Sequence, residues 1–402
     1  MRILFFTQYF WPENFRINEL IKYYNKKNMV SVLTCRPSYP NKEIFRNLKK
    51  RNLNEFDKDL DLFRVPVILR SKSNASIFLN YLSFLIISFF FGFFYLFKKK
   101  IDTIFLFCPS PITSVLPAII LNKIFKKKVI IWILDLWPDT LIDLKYVKNP
   151  FLINILKSLV KFIYNNSDLI LAQSESMKKE IEKITNTKCV FFPSWPEEDV
   201  DENDIRLSEN LNKKKENVTR ILFTGNIGEA QSFETLVNAA KSIRESHLIE
   251  WIILGDGRWK ENFLRLVKEN DLESNIKFFK AVPIKDVKSY INHADALYLS
   301  LKKNNTFSKT IPGKLQTYMF MQKPIIASIS GETKKIINDA KCGYAGEAED
   351  VESLIKNIKD FIKLTENEKK RMGLNAREYV VKHFKKEHVL DNLNKEILSL
   401  LN

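Results

Sequence analysis

Short apolar runs alternate with amphipathic stretches along most of the chain. The runs have the length of β-strands, and the stretches between them have the length of helices. Strands that are apolar throughout, and that helices separate, are typical of parallel sheets covered on both faces. The pattern therefore predicts an α/β protein. The predicted strands are 3–6, 30–34, 62–67, 101–107, 129–134, 169–172 and 189–192, then 220–225, 250–255, 276–279, 296–300 and 324–327.

A polar stretch interrupts this rhythm between the two series of strands. It contains an acidic run at 197–204 and three lysines at 213–215, a composition typical of a linker. Two doubly wound Rossmann-like domains of similar size are therefore predicted. The predicted boundaries are 1–196 for the first domain, 197–218 for the linker, 219–385 for the second domain and 386–402 for a closing helix. Because such sheets bind ligands at the carboxyl ends of their strands, we expect the domains to face each other across a cleft that holds the active site.

One segment of the first domain is unusually apolar. Residues 77–97 carry no charge and are followed by Lys98, Lys99 and Lys100. A helix of about 20 apolar residues is long enough to span a bilayer. A single crossing, however, would put strands of one predicted sheet in different compartments. Three interpretations remain open, namely a helix in the membrane interface, an apolar buried helix and a true span. The lysines at 98–100 and 126–128 favour the first, so 77–100 is predicted to associate with a membrane.

Composition and charge limit the classes of partner that the protein is expected to bind. The chain has 402 residues, 45% hydrophobic and 28% charged, which excludes a disordered chain. A formal charge of +17 indicates an anionic partner, which leaves nucleic acid, a phospholipid surface or a phosphorylated small molecule open. The four cysteines are far apart and form no Cys-x-x-Cys pair, so we expect a reducing, cytoplasmic compartment and neither zinc nor disulfides. The first residues have the pattern of a buried strand, so no export is expected.

Two glycine-bearing turns follow strands of the second domain. Gly225 and Gly228 lie in the turn at 223–231, and Gly255 and Gly257 lie in the turn at 254–257. Glycine lets backbone approach a phosphate closely, and a following helix offers free N–H groups. Each turn taken alone fits an ordinary connection equally well.

A third pattern combines a helix start with a lysine. Pro312 and Gly313 suit the first turn of a helix, and Lys314 stands beside them. A helix N-terminus next to a lysine is suited to a pyrophosphate group. The alternative is an ordinary helix start with a solvated lysine.

These patterns, in their order and spacing, resemble the donor domain of the family-4 retaining glycosyltransferases of GT-B fold. Motifs at 9–14, 135–139, 192–195 and 225–231 are similar to the bacterial O-antigen and capsule branch that includes N-acetyl-L-fucosamine transferases. The resemblance implies transfer of an N-acetylated, 6-deoxy sugar from a UDP-sugar to a polyprenyl-diphosphate-linked saccharide. It implies donor binding by Gly225, Asn226, Gln231, Gly255, Gly257, Gly313, Lys314, Gln316 and Thr317.

The chain departs from the family pattern at three places. Asn226 and Gln231 stand where most members have Arg and Lys on the donor diphosphate, which leaves Lys314 as the candidate cation. Lys309 and Thr317 align with two family glutamates, so ribose recognition is expected from Gln316 or Thr317. The first half of the chain contains no histidine, although the family places one beside the donor sugar, and residues 108–111 stand near that place.

The resemblance also implies a mechanism without an enzyme nucleophile or a cofactor. Lys314 is expected to stabilise the leaving diphosphate, and Asp135 to orient the acceptor hydroxyl. Asp135 has an alternative role as part of a helix cap. The residues predicted to bind the acceptor are Glu13, Asn14, Arg16, Arg36 and Asp139. The carboxylates at 57–61 precede a strand and are interpreted as a solvated turn, so no metal is predicted.

Two rival functions remain. A UDP-sugar 2-epimerase shares this fold but needs acid and base residues in the cleft. A nucleic-acid-binding protein would suit the charge, yet its basic residues should be interleaved with aromatic ones on one face. The lysines here form scattered short clusters, so no nucleic-acid partner is predicted. The predicted location is the cytoplasm, at the inner face of the cytoplasmic membrane.

Overall fold

The computed structural model describes residues 1–39, 42–46, 56, 60–71, 73–197, 217–245 and 249–401. The chain divides into two compact units. The first comprises Met1–Phe192 with Leu393–Asn402, and the second comprises Pro193–Asn392. Most of the predicted linker and the carboxylates at 57 and 59 lie outside the described residues, so the predicted domain boundaries stay a prediction.

The first unit contains one sheet of seven parallel strands. The strands are β1 Arg2–Phe6, β2 Met29–Cys35, β3 Asp61–Val65, β4 Thr103–Cys108, β5 Lys128–Ile133, β6 Leu169–Ala172 and β7 Cys189–Phe191. Their spatial order is β3-β2-β1-β4-β5-β6-β7. In the central pairing, Ile3 lies between Val30 and Thr103. The predicted strands of this unit are confirmed, and each end lies within about two residues of its prediction.

Helices cover both faces of this sheet. Those within the first 192 residues are α1 Ile17–Asn25, α2 Asn74–Lys98, α3 Leu116–Phe125, α4 Asp139–Asp143, α5 Pro150–Asn165 and α6 Glu175–Glu182. One core joins buried side chains of α2, α3, α5 and α6 to strand residues such as Leu4 and Ile131. These four helices therefore cover the same face.

Helix α2 is fully buried along a single row, and partly buried side chains such as Phe89 and Phe93 pack against the core beside that row. Every fourth residue is buried, in the order Asn80, Phe84, Ser88, Gly92 and Leu96. A Cβ atom at Gly92 would come within 2.9 Å of Leu121 Cδ1 on α3. Glycine at this position therefore allows the two helices to pack closely.

The second unit contains a sheet of six parallel strands in the order β10-β9-β8-β11-β12-β13. The strands are β8 Thr219–Asn226, β9 Ile249–Asp256, β10 Ile276–Lys280, β11 Ala296–Ser300, β12 Ile325–Ser328 and β13 Gly343–Gly346. The helices that follow β8 in the chain are α7 Phe233–Ile243, α8 Lys260–Glu269, α9 Ile284–Asn292, α10 Gly313–Phe320, α11 Glu332–Asp339, α12 Val351–Ile362, α13 Glu366–Phe384 and α14 Lys386–Leu401. The residues of α14 from Leu393 on belong to the first unit. The five strands predicted here are confirmed, and β13 is an addition that the sequence pattern did not reveal.

Each sheet has a point at which the strand order reverses. It lies between β1 and β4 in the first unit and between β8 and β11 in the second. Ligands of such sheets bind at the carboxyl ends of the strands beside this point. The loops that follow these strands, and the helix starts next to them, are therefore where functional side chains are expected.

Candidate functional site

In the second unit, the two predicted glycine turns meet backbone to backbone. Gly225, near the end of β8, has φ +116°, a conformation that favours glycine. A Cβ at Gly255 would lie 1.9 Å from the carbonyl oxygen of Gly225, and one at Gly257 would lie 2.2 Å from that of Ile227. Larger residues at 255 and 257 would therefore push the strand ends apart. The structure thus brings together glycines that are 30 or more positions apart in sequence.

Lys314 fills the space that the missing side chain of Gly225 leaves. A Cβ at Gly225 would come within 2.8 Å of Lys314 Cε and 3.2 Å of Nζ. The ammonium lies 3.7 Å from the ring centroid of Phe223, close enough for a cation–π contact. Lys314 as a whole is half-buried, and desolvation of its ammonium lowers its pKa to about 7. Lys314 therefore carries its amino group inward, to the carboxyl end of the sheet, rather than into solvent.

No carboxylate among the described residues lies within ion-pair distance of Lys314. A desolvated cation without a counter-charge is costly unless a ligand supplies one. Gly313 at the start of α10 has open space around it, with no atom within 4 Å of a Cβ position. The first N–H groups of a helix also attract anions. An inward lysine and an unobstructed helix start together suit a diphosphate.

Helix α10 is fixed to the end of β8 by a buried tyrosine. Tyr318 Oη accepts a hydrogen bond from the backbone N–H of Thr224 at 2.9 Å. Burial raises the pKa of Tyr318 to about 12, so the phenol stays protonated. Leu315 and Met319 are buried on the same helix. These contacts hold the position of Lys314 relative to the glycine turns.

The loop after β8 is held by its own side chains and by the loop after β11. Gln231 Oε1 accepts from the N–H of Gly228 at 2.9 Å, so this amide caps its own turn. The N–H of Lys302 donates to the carbonyl of Ala230 at 2.8 Å, and its ammonium pairs with Glu229. Asn226 is exposed at the end of β8. Of the two residues that replace the expected cations, Asn226 is thus open to a ligand and Gln231 is partly engaged.

The residues predicted to bind ribose have different surroundings. Gln316 is 1% exposed, and in the amide orientation that satisfies both of its polar atoms, the nitrogen donates to the carbonyls of Pro312 at 3.1 Å and Gly313 at 3.2 Å. This orientation turns the Gln316 amide toward its own helix start. Thr317 keeps partial exposure, and its Oγ1 accepts from the N–H of Glu197 at 3.4 Å. Thr317 is therefore the better placed of the two for a hydroxyl-bearing ligand.

In the first unit, Glu13 acts within the protein as a structural carboxylate. It is 4% exposed and accepts backbone N–H bonds from Phe10, Ser38 and Tyr39 at 3.2, 2.8 and 2.7 Å. Burial raises the pKa of Glu13 to about 7, although these bonds favour the ionised form. Glu13 therefore ties the loop after β1 to the loop after β2.

The other residues predicted to bind an acceptor lie nearer the surface. Asn14 and Arg36 are exposed, and Arg16 is partly exposed with its guanidinium 2.8 Å from Glu19. The sequence missed Arg64, which lies in β3 and donates to the carbonyls of Cys35 at 2.8 Å and Trp11 at 2.6 Å. A charged residue inside an otherwise apolar strand was the signal that would have revealed it.

Asp135 lies two residues beyond the end of β5. Shielding from solvent raises its pKa to about 7, and in the part of the chain that the structure describes it has no hydrogen-bond partner. Its charge in turn contributes to the raised pKa of Cys108 at the end of β4, although burial is the larger cause. Trp137 Nε1 donates to Ser110 Oγ at 3.2 Å, which joins the loops after β4 and β5. A shielded, unpartnered carboxyl at a strand end is suited to a hydroxyl ligand.

Asp139 is the first residue of α4 and keeps partial exposure. It is thus one turn beyond Asp135, in the same loop region. Among the described residues, no group of three or more His, Cys, Asp or Glu side chains forms a cluster suited to a metal ion.

Comparison with known proteins shows similarity to glycosyltransferases. Residues 204–379 match the family described as Glycosyl transferases group 1. Over 376 residues the chain is 24% identical to "Putative colanic acid biosynthesis glycosyl transferase WcaI" from Escherichia coli (strain K12), a match that covers 90% of this chain and 89% of that protein.

Solved structures have the same fold over nearly the whole chain. Anabaena HepE in complex with UDP gives a TM-score of 0.68 at 12% identity, covering 99% of this chain and 100% of that one. Sucrose-phosphate synthase from Thermosynechococcus elongatus gives a TM-score of 0.75 at 14% identity, covering 99% of each chain. The predicted α/β class, with two parallel-sheet Rossmann-like domains of GT-B type, is confirmed.

Proposed function

Residues 204–379 match the group 1 glycosyl transferases, and we propose that the protein is a retaining glycosyltransferase that uses a UDP-sugar. Its acceptor is a saccharide linked to a polyprenyl diphosphate, and its product serves the assembly of a surface polysaccharide. The donor sugar is N-acetylated and 6-deoxy. The colanic acid assignment of the similar protein WcaI and the UDP bound by HepE support this proposal.

The observation that carries the proposal is the inward ammonium of Lys314, which has no ion-pair partner among the described residues and lies beside Gly225 and the open helix start at Gly313. A nucleotide diphosphate supplies the counter-charge that this lysine lacks. In the reaction, the bond between the anomeric carbon and the diphosphate oxygen breaks, and negative charge develops on that oxygen. Lys314 and the N–H groups of α10 stabilise this charge, and because they are already in place they need no reorganisation.

The acceptor hydroxyl attacks from the face that the diphosphate leaves, so the configuration at the anomeric carbon is retained. The new bond joins the acceptor oxygen to the anomeric carbon, and the hydroxyl proton passes to the leaving diphosphate. Asp135, when ionised, accepts a hydrogen bond from the hydroxyl and orients it. We expect the activity to persist in EDTA, since a lysine and a helix start neutralise the diphosphate. Loss of turnover that Mg²⁺ or Mn²⁺ restores would contradict this expectation.

The proposal also includes attachment to an anionic membrane through α2. This helix has a mean hydropathy of 2.1 over its most apolar 18 residues, of which 28% are buried. Its outward positions are aromatic and aliphatic rather than polar, with Phe78 64%, Phe90 59%, Phe94 60% and Phe97 74% exposed. Ile124 on α3 and Phe151 on α5 are also exposed, on helices that cover the same face of the sheet. Exposed apolar side chains grouped on the helices of one face are typical of a surface that contacts a partner or a membrane.

The test is turnover of the full chain with a panel of UDP-sugars and a lipid-linked saccharide acceptor. We expect transfer from one N-acetylated donor, with the anomeric configuration of the product retained by NMR. Lys314→Met should abolish most turnover, and Lys359→Met, which removes an exposed lysine of α12, should not. Free UDP-sugar converted to its 2-epimer would favour the epimerase, and a duplex DNA mobility shift without UDP binding would favour a nucleic-acid-binding protein.

A further inference from the structure

Arg70 is a buried arginine in the loop between β3 and α2 of the first unit. It is 7% exposed. Its Nη1 donates to Tyr81 Oη at 3.1 Å, and its guanidinium carbon lies 5.0 Å from the ring centroid of Tyr39 and 5.9 Å from that of Tyr81. Two tyrosine rings therefore pack near the guanidinium.

The hydrogen-bonding capacity of Arg70 is mostly unused. A guanidinium has five N–H donors, and within the described ranges the bond to Tyr81 is the single one that the Arg70 side chain donates. Nε is buried and has no partner. No carboxylate forms an ion pair with Arg70 in the described part of the chain, and Glu13 directs its oxygens to backbone N–H groups. A largely buried guanidinium with an unpartnered Nε, and with no counter-charge among the described residues, is suited to an anionic ligand.

Arg64 provides a contrast within the same half of the sheet. Its two terminal nitrogens donate to the carbonyls of Cys35 and Trp11, so this guanidinium holds loops together. Arg16, which the sequence favoured as an anion ligand, pairs with Glu19. Arg70 differs from both because its partners are aromatic rings and one hydroxyl, which leave its charge uncompensated.

Arg70 also lies beside the apolar surface of α2. Tyr81, its hydrogen-bond partner, stands in the second turn of that helix. Asn80 points inward, where its Oδ1 accepts from Gln8 Nε2 at 2.8 Å. The neighbours Phe78, Leu79 and Leu82 are exposed. An anionic group at Arg70 would therefore begin next to apolar side chains, which suits a ligand with a phosphate head and a hydrocarbon tail.

We propose that Arg70, held between Tyr39 and Tyr81, binds the phosphate of an isoprenoid phosphate or diphosphate, and that the hydrocarbon tail runs along the outward face of α2. This inference rests on the proposed function, because it identifies the anchor of the lipid-linked acceptor. It gives the first unit a phosphate site of its own, separate from the UDP site of the second unit.

The test uses farnesyl diphosphate as the probe and the full chain in titration calorimetry. Farnesol and inorganic pyrophosphate serve as probes that lack the head or the tail, and both should bind more weakly. Arg70→Gln should weaken farnesyl diphosphate binding roughly tenfold or more, because the variant loses hydrogen bonds between a charged donor and the phosphate. The control is Arg2→Gln, which changes an arginine at the start of β1 that pairs with Asp102. This variant should leave the affinity for farnesyl diphosphate unchanged. UDP binding should stay unchanged in both variants.

Unaltered farnesyl diphosphate binding in folded Arg70→Gln would overturn the inference and leave the proposed function intact. Failure of the wild-type chain to bind UDP would instead overturn the proposed function. If Arg70→Gln does not fold, Arg70→Lys keeps the charge but loses the planar fork, and its binding should fall severalfold; full binding would overturn the site. Arg70→Gln that loses binding to phosphatidylglycerol vesicles but keeps farnesyl diphosphate would assign the site to a phospholipid head and overturn the acceptor role.

Discussion

Two desolvated cations of the second unit show how a charge with a partner in the protein differs from the charge that we propose binds a ligand. Arg220 is 1% exposed, and its Nε lies 2.6 Å from Glu250 Oε2. Lys314 is also shielded, yet it faces an aromatic ring and a glycine instead of a carboxylate. A buried charge that has its partner in the protein contributes to the fold, whereas one without a partner weakens the fold until a ligand binds. We therefore expect a local instability at Lys314, where we propose that the diphosphate binds.

That instability predicts opposite effects of Lys314→Met on stability and on function. UDP affinity and turnover should fall by about ten- to hundredfold, because a charge-assisted phosphate contact is lost. The melting temperature of the ligand-free protein at pH 7 should rise, since the variant removes a desolvated cation. Calorimetry and thermal unfolding on the same samples check both effects. A variant that is less stable and binds UDP normally would show that Lys314 is a packing residue.

The lowered pKa of Lys314 also predicts a pH dependence. The pKa is about 7 in the folded protein against 10.5 for an ordinary lysine, so the unfolded chain binds more protons between these values. The free energy of unfolding should therefore rise with pH between about 7 and 10.5. As the pH falls back toward 7, this gain in stability should be lost. UDP binding needs the charged form, so UDP affinity should decrease from pH 7 to pH 9. Calorimetry in buffers of different ionisation enthalpy should show proton uptake, and Lys314→Met should show none.

Asp135 is predicted to act on transfer more than on donor binding. Asp135→Asn should lower turnover roughly a hundredfold, in the range typical of a positioned acid or base, and leave UDP affinity unchanged. Since burial raises the pKa of Asp135 to about 7, the ionised form is disfavoured in the folded state, and the variant should be more stable above pH 7. At saturating donor, when the bound diphosphate keeps Lys314 charged, wild-type turnover should rise with pH through about 7. Parallel loss of UDP binding would indicate a structural role instead.

At the scale of elements, α2 reverses the usual arrangement of a surface helix. Its buried row includes the polar Asn80 and Ser88, and its exposed side carries phenylalanines. The sequence showed an apolar helix of membrane length but not its orientation, because nearly every position is apolar and no polar face marks the outside. Contact with α3 at Gly92 resolves this, since it fixes which side faces the core.

The orientation determines which phenylalanines to replace. Phe90 and Phe94 are exposed, whereas Phe89 and Phe93 pack against the core. Phe90→Ser with Phe94→Ser should reduce sedimentation with phosphatidylglycerol vesicles roughly tenfold or more, because each aromatic ring contributes apolar contact with lipid. The melting temperature should change little, since exposed positions have small effects on stability.

The matched control for this pair is Phe84→Ala. Phe84 is buried in the same helix, so this variant should lose about 3–5 kcal/mol of stability. Added salt should weaken vesicle binding of the wild-type chain without abolishing it, because lysines 98–100 contribute screened attraction and the phenylalanines do not. Full binding by the folded double variant would contradict the membrane role of α2.

At the scale of the whole molecule, the sequence predicted the sheets better than the site. Buried parallel strands are continuous apolar runs, so their limits are visible in the sequence, whereas β13 contains two glycines among four residues and resembles a turn. The glycines and Lys314 could be proposed as donor-binding residues from the sequence because their chemistry is local. Other features depend on how the chain folds. These are the amide of Gln316 turned toward its own helix start, the backbone N–H groups that Glu13 accepts from, and the lack of a carboxylate beside Arg70 among the described residues.

The division of the chain has a consequence for its synthesis. The first unit is discontinuous, since it includes the residues from Leu393 on. Asn394 Nδ2 donates to Tyr23 Oη at 2.6 Å, and Glu396 pairs with Lys188. On the ribosome, the first 192 residues emerge long before these partners exist. The first unit therefore completes its folding after the second unit has been translated, and a nascent chain stalled before residue 393 should expose α1 and the region of Lys188 to protease.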